Sequence, residues 1–171
     1  DSRYAGKVIG TWAGRYVSNL ENTTLKTDHQ VVASLDMNEG FTTKMKVGNH
    51  YLTADEPVDY GGNDFGPSPY DLLSASLSAC TSMTLQMYAR RKGWPLESVE
   101  THTSHSREHA LDCATCEDSN SSKIDTFTRE IRMSGPLDEP QKKRLLEIAD
   151  RCPVHRTLHS PTQVSTRLKP Q

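Results

Sequence analysis

At 171 residues the chain is the size of a single domain and long enough to bury a core without metal or disulfide staples. Only 34% of it is hydrophobic, and 25% is charged with a net charge of −2, so no electrostatic capture of nucleic acid or of an anionic membrane is expected. No run approaches the roughly 18 apolar residues of a membrane span, and the opening DSRYAGKVIGTWAGRYVSNL lacks a signal-peptide core.

Residues 1–17 are expected to form an N-terminal arm and 18–171 a single domain. In HQVVASLDMNEGFTTKMKVGNHYLTAD, side chains alternate along Val31–Met37 and Phe41–Val47 around the turn residues Asn38-Glu39-Gly40. A second turn, Gly48-Asn49-His50, leads into another short strand, so the segment reads as a meander. EPVDYGGNDFGPSP then reads as a loop.

A long helix follows. Ser68 suits the N-cap, Pro69 the first helical position, and Asp71 lies where a capping box would place an acid. Lys92-Gly93-Trp94-Pro95 marks the stop, with Arg90, Arg91 and Lys92 complementing the C-terminal dipole. About 23 residues at 1.5 Å each predict a rod of roughly 35 Å. Helical periodicity sets Cys80 on a face with Leu73, Leu77, Met83, Thr84 and Met87, which points it into packing. The small neighbours Ser74, Ala75, Ser76, Ser78 and Ala79 would let another backbone come close.

LESVETHTSH reads as a strand, SREHALDCATCEDSNSSK as a polar insert, and IDTFTREIRMSG as a second strand. In the latter, Ile124, Thr126 and Thr128 oppose Phe127, Arg129 and Ile131. PLDEPQKKRLLEIADRC predicts a helix capped by Asp138 or Glu139, with Leu145, Leu146, Ile148 and Ala149 as its apolar stripe. Pro153 opens a short helix through His159, and TQVSTRL is expected to close the chain as a strand. The order of elements is that of an α+β protein.

The four cysteines, at 80, 113, 116 and 152, are too few for a secreted disulfide framework and suit a cytoplasmic protein with reactive or metal-binding thiols. Cys80 and Cys152 read either as two buried thiols or as halves of one chemistry. For the second, Cys152 precedes Pro153 at a helix start, with Arg151, His155 and Arg156 nearby, and such surroundings lower a thiol pKa. His109, Cys113 and Cys116, with His102 and His105 upstream, could hold zinc, form a redox dithiol, or be a polar loop. His155 and His159 share a helical face; with Cys152 they could ligate a metal or simply tune the thiol. No P-loop, GxGxxG or GxSxG pattern occurs.

Together, GPSPYDLLSASLSACTSMTL and RLLEIADRCPVHRTL closely resemble the OsmC/Ohr family of osmotically induced and organic-hydroperoxide-resistance proteins, over roughly residues 18–169. The resemblance implies antiparallel sheets packed around a long central helix in an intertwined homodimer. It implies Cys80 as peroxidatic thiol, Cys152 as its disulfide partner, a hydroperoxide substrate, an external dithiol reductant and no required cofactor. Tyr60, Phe65 and Tyr70 are the aromatic candidates for an alkyl group, although each also fits ordinary packing.

Better-characterised members hold the thiolate with an arginine and an acid. The acid's place, directly after the helix-opening proline, is Tyr70 here; Asp71 follows, about 100° further round, and suits a cap. Lys44 stands where the osmotically induced branch has its arginine and lacks the bidentate fork. Arg15 in the arm is the alternative cation. The rival reading is a non-catalytic protein of this fold that binds a ligand or zinc; a thiol transferase or hydrolase accessory is a third, since relatives occur fused to a hydrolase domain.

Overall fold

The computed structural model describes residues 25–109 and 123–169. The expected arm, with Arg15, and Cys113 and Cys116 of the CxxC loop lie outside the described residues, as does the side chain of His109. The chain divides after Pro69 into two compact units.

In the first unit, β1 (Val31–Leu35), β2 (Thr43–Val47) and β3 (His50–Ala54) form the predicted antiparallel meander, in the order β1-β2-β3. The register pairs Val31 with Val47 and Leu35 with Thr43, then Val47 with His50 and Thr43 with Ala54. The first connection is a 3-10 turn, Met37–Glu39, begun by the Asp36 carboxylate accepting the Asn38 amide. Gly48 makes the second with φ +58°, a left-handed conformation that glycine adopts without a Cβ penalty.

After β3 the chain folds over a buried carboxylate. Asp55, 2% exposed, accepts hydrogen bonds from Thr42 Oγ1 at 2.9 Å, the Glu56 amide at 2.8 Å and the Phe65 amide at 3.4 Å. Burial pushes its pKa up, but these hydrogen bonds together outweigh burial and hold it below the ordinary carboxylate value. The loop packs so closely that a Cβ on Gly62 would collide with the Glu56 carbonyl.

The second unit holds α1 (Pro69–Lys92) from its second residue on, β4 (Ser98–His109), β5 (Lys123–Ser134), α2 (Glu139–Ala149) and α3 (Pro153–Leu158). β4 and β5 form a long antiparallel ribbon, from Ser98 opposite Ser134 to His109 opposite Lys123. Ser78 and Ser82, one turn apart on α1, hydrogen-bond to Thr103 and Thr101 of β4 at 2.7 and 2.8 Å. Small side chains thus let a strand approach the helix through a hydroxyl ladder in place of interlocked hydrocarbon. The remaining core gathers Leu85, Ala89, Leu137, Leu145, Ile148 and Ala149, with Trp94, Val99, Ile131 and Met133 packed against it. α2 starts in a capping box: Asp138 accepts the Gln141 amide at 2.7 Å and Gln141 Oε1 accepts the Asp138 amide at 3.1 Å.

Three expectations need correction. The buried stripe of α1 is Leu77, Thr81, Leu85 and Ala89, whereas Met83 and Met87 are 64% and 70% exposed and Cys80 is half-buried. The β4 contact turns the helix so that its packed side passes through Thr81. Leu146 is exposed, which leaves Leu145, Ile148 and Ala149 as the α2 stripe. Residues 161–169 form no strand, and Val164 and Leu168 stand almost fully exposed. Alternation alone does not make a strand; the backbone must find a ladder partner.

The observed class is α+β with antiparallel sheets and helices. Among the described residues no helix is long and apolar enough to cross a membrane.

Candidate functional site

Between α2 and α3 the chain turns within Asp150, Arg151 and Cys152. Asp150 closes α2 and Cys152 caps α3, with extended backbone (φ −63°, ψ 142°) that suits the residue before a proline. This turn carries Cys152 inward until it is fully buried. Its Sγ accepts the His155 amide at 3.3 Å and lies 3.7 Å from Thr81 Oγ1, which comes from the middle of α1.

Thr81 is fully buried too, and its hydroxyl is a junction. Oγ1 accepts from Arg129 Nη1 at 2.8 Å and lies 2.8 Å from the Leu77 carbonyl. A hydroxyl has one proton to give, so that proton is shared between the Leu77 carbonyl and the Cys152 sulfur. Arg129 also reaches the Ala149 carbonyl at 3.3 Å, and its Nη2 pairs with Asp150 Oδ1 at 2.7 Å. Its side chain is only 11% exposed. A guanidinium so enclosed is tolerated because its donors meet a carboxylate, a hydroxyl and a carbonyl. The acid at the α2 C-terminus opposes the helix dipole, and Arg129 offsets that cost.

His155 stacks on His159 with ring centroids 4.4 Å apart. Burial chiefly, then the neighbouring His159 and Arg129 charges, hold its pKa below the ordinary histidine value, against a smaller opposite pull from Asp150.

The geometry therefore brings Cys152 against the residue next to Cys80. The two thiols, both free, differ in access: Cys80 is half-buried and Cys152 is sealed. A negative sulfur at Cys152 would have two hydrogen-bond donors, the His155 amide and the Thr81 hydroxyl, the latter polarised by Arg129.

Arg129, Thr81 and Asp150 were not among the sequence candidates. The signal for Arg129 was present, since it stands in phase with Phe127 and Ile131 on the apolar side of a strand. Thr81 and Asp150 gave none.

Lys44 lies on β2 in the first unit, its Nζ paired with the Glu39 carboxylate at 3.0 Å. Tyr60 and Phe65 belong to the first unit's loop and are 76% and 69% exposed. Tyr70, at the start of α1, stacks flat on His105, with centroids 4.2 Å apart and planes 9° apart. His105 in turn meets Asp125 Oδ1 through Nε2 at 2.9 Å. His109 ends β4, and among the described residues no group of three His, Cys, Asp or Glu could hold a metal.

The family model for OsmC-like proteins matches residues 61–167. Similar solved structures include an OsmC-like protein from Mycoplasma pneumoniae, 19% identical with a TM-score of 0.60, covering 79% of this chain and 89% of that one. A second is the organic hydroperoxide resistance protein OsmC from Legionella pneumophila, also described as a regulator of sulfide bond formation. It is 19% identical with a TM-score of 0.55, covering 78% and 91% of the two chains. A third is an organic hydroperoxide resistance protein from Elizabethkingia anophelis, 18% identical with a TM-score of 0.56, covering 79% and 89%. At such identities the likeness establishes the fold. No curated protein matches the chain.

Proposed function

Because the chain belongs to the OsmC-like family, we propose that it is a cysteine-based reductase of organic hydroperoxides, with Cys80 attacking and Cys152 resolving. The Cys80 thiolate attacks the distal peroxide oxygen, the O–O bond breaks, and the alkoxide takes a proton to leave as alcohol. Cys80 becomes a sulfenic acid. The Cys152 thiolate then attacks the Cys80 sulfur and water leaves, which closes a disulfide. A dithiol reductant restores both thiols and departs as its own disulfide.

The single observation that carries this reading is the contact between Cys152 and Thr81, the immediate neighbour of Cys80, inside a chain of this family. The difference in access supports the order of events, since a peroxide meets the half-buried thiol before the sealed one. Arg129, acting through Thr81 and held by Asp150, is a positioning residue for Cys152. The active form in this reading is a homodimer in the cytoplasm, where free thiols persist; the exposed Met83 and Met87 suit a covered helix face.

The test is turnover of cumene hydroperoxide with dithiothreitol as reductant. Cys80→Ser should abolish it, and Cys152→Ser should leave a sulfenic acid on Cys80 that dimedone traps. Equal consumption by wild type and Cys80→Ser would end the proposal. Lys44→Ala and Arg15→Ala in the same assay determine whether either cation serves Cys80.

A further inference from the structure

α3 runs only from Pro153 to Leu158, with Cys152 as its N-cap and His159 as its C-cap. His155 and His159 stand one turn apart, and the His159 amide donates to the His155 carbonyl at 3.1 Å. Their rings stack with centroids 4.4 Å apart and planes 29° apart. His155 is half-buried and His159 is exposed. Among the described residues no hydrogen bond or ion pair reaches either imidazole. Each ring therefore has a lone pair with nothing to bind, and the two rings lie side by side.

We propose that His155 and His159 together bind one divalent transition-metal ion of the kind that imidazole favours, zinc or nickel. Histidines at i and i+4 on a helix present their rings to one side, as in helical zinc motifs. An ion about 2.1 Å from each ligating nitrogen holds those nitrogens roughly 3 Å apart. Rings with centroids 4.4 Å apart reach that separation by rotating their side chains, with the helix left in place. Water completes the shell, because the nearest thiol is engaged elsewhere. Cys152 is fully buried, and its sulfur faces the His155 amide and the Thr81 hydroxyl. Of the residues in C-x2-H-x3-H, the imidazoles ligate and the thiol does not. Two protein ligands make an exchangeable site, open to metal in solution.

The consequence reaches the thiol through the backbone. A helix this short has little stability of its own, and the His155 amide is one of the two donors that hold Cys152. An ion clamped across residues 155–159 fixes that turn, and with it the amide, so Cys152 stays in its sealed position. Metal at this pair should then slow the attack of Cys152 on oxidised Cys80. That extension rests on the peroxidase reading; the binding does not.

The probe is Ni²⁺, titrated into the fully reduced full chain at neutral pH and read from the histidine ring signals by NMR. The paramagnetic ion broadens the rings that ligate it. The His155 and His159 signals should broaden together below one equivalent. His159→Gln should weaken Ni²⁺ at His155 about a hundredfold, the effect of losing a second ligand tethered at high effective concentration. Replacing Cys113 and Cys116 together by Ser should leave the response of both rings intact. Rings of the wild-type chain unaffected by two equivalents of Ni²⁺ overturn the proposal, and that result depends on no variant folding. So does broadening of His155 that survives undiminished in His159→Gln, or that disappears with the two loop thiols. If the rings broaden while the Cys80–Cys152 disulfide forms equally fast with and without Ni²⁺, the site stands and its effect on the thiol is overturned. Failure to consume cumene hydroperoxide would sink the peroxidase reading and leave the Ni²⁺ result standing.

Discussion

Arg129 donates to Thr81 at 2.8 Å and so stands one hydroxyl away from the buried sulfur of Cys152. The cation does not touch the thiol. It fixes the hydroxyl's lone pair, which frees the hydroxyl proton to turn from the Leu77 carbonyl toward sulfur when sulfur becomes negative. A strand, a helix and a cap meet at that one oxygen.

Thr81→Val keeps the shape and deletes the junction. It leaves an enclosed Arg129 donor short of a partner, a cost of about 1–3 kcal/mol by chemical denaturation. Disulfide formation after oxidation should slow about tenfold, the effect of losing one hydrogen bond of roughly 1.4 kcal/mol to the attacking sulfur. Thr81→Ser should restore the rate. If the valine variant loses only stability and keeps the rate of disulfide formation, the hydroxyl has a packing role alone.

His155 reports the local field. Its pKa lies below 6.5 in the folded chain, so the unfolded chain takes up this proton more readily. Stability from this group is complete above pH 6.5 and declines as pH falls through the folded pKa. Arg129→Gln should raise the His155 pKa by removing a cation, and Asp150→Asn should lower it further by removing an anion. Histidine NMR titrations of the three proteins check the opposite signs.

Leu145 is fully buried in the cluster that joins α1 and α2. Leu145→Ala should cost about 2–5 kcal/mol in urea denaturation. Leu146→Ala, on the exposed side of the same helix, should cost within about 0.5 kcal/mol of nothing.

Asp55 ties down the loop that carries Tyr60 and Phe65. Its folded pKa lies below 3.8, so its contribution is present above that pH and is lost as acid protonates it. Amide exchange across residues 56–66 should accelerate below pH 3.8 before the second unit unfolds, and Asp55→Ala should show the faster exchange at neutral pH.

Local chemistry was the legible part of the fold. Pro69 opens α1, Gly93 at φ +65° ends it, and Asp138 caps α2, each because the backbone leaves few residues able to serve there. The turn at Gly48 and the alternation of the meander are of the same kind. What misled was the face of α1. Its middle is Ser, Ala and Thr, so the apolar signal is thin, and the side that packs is settled by hydroxyls on β4 rather than by hydrocarbon. TQVSTRL misled for the opposite reason, since it has a strand's alternation and no partner among the described residues. Of the site, the two cysteines were visible as residues, whereas the network around Cys152 depends on β5 crossing α1 at one threonine. Spacing along the sequence does not carry that crossing.

The most direct test of the central claim is the intact mass of the chain under non-reducing conditions after one equivalent of cumene hydroperoxide, followed by peptide mapping. The account predicts loss of two hydrogens and a linked peptide pair containing Cys80 and Cys152. Both thiols remaining free, with the peroxide unconsumed, would contradict it.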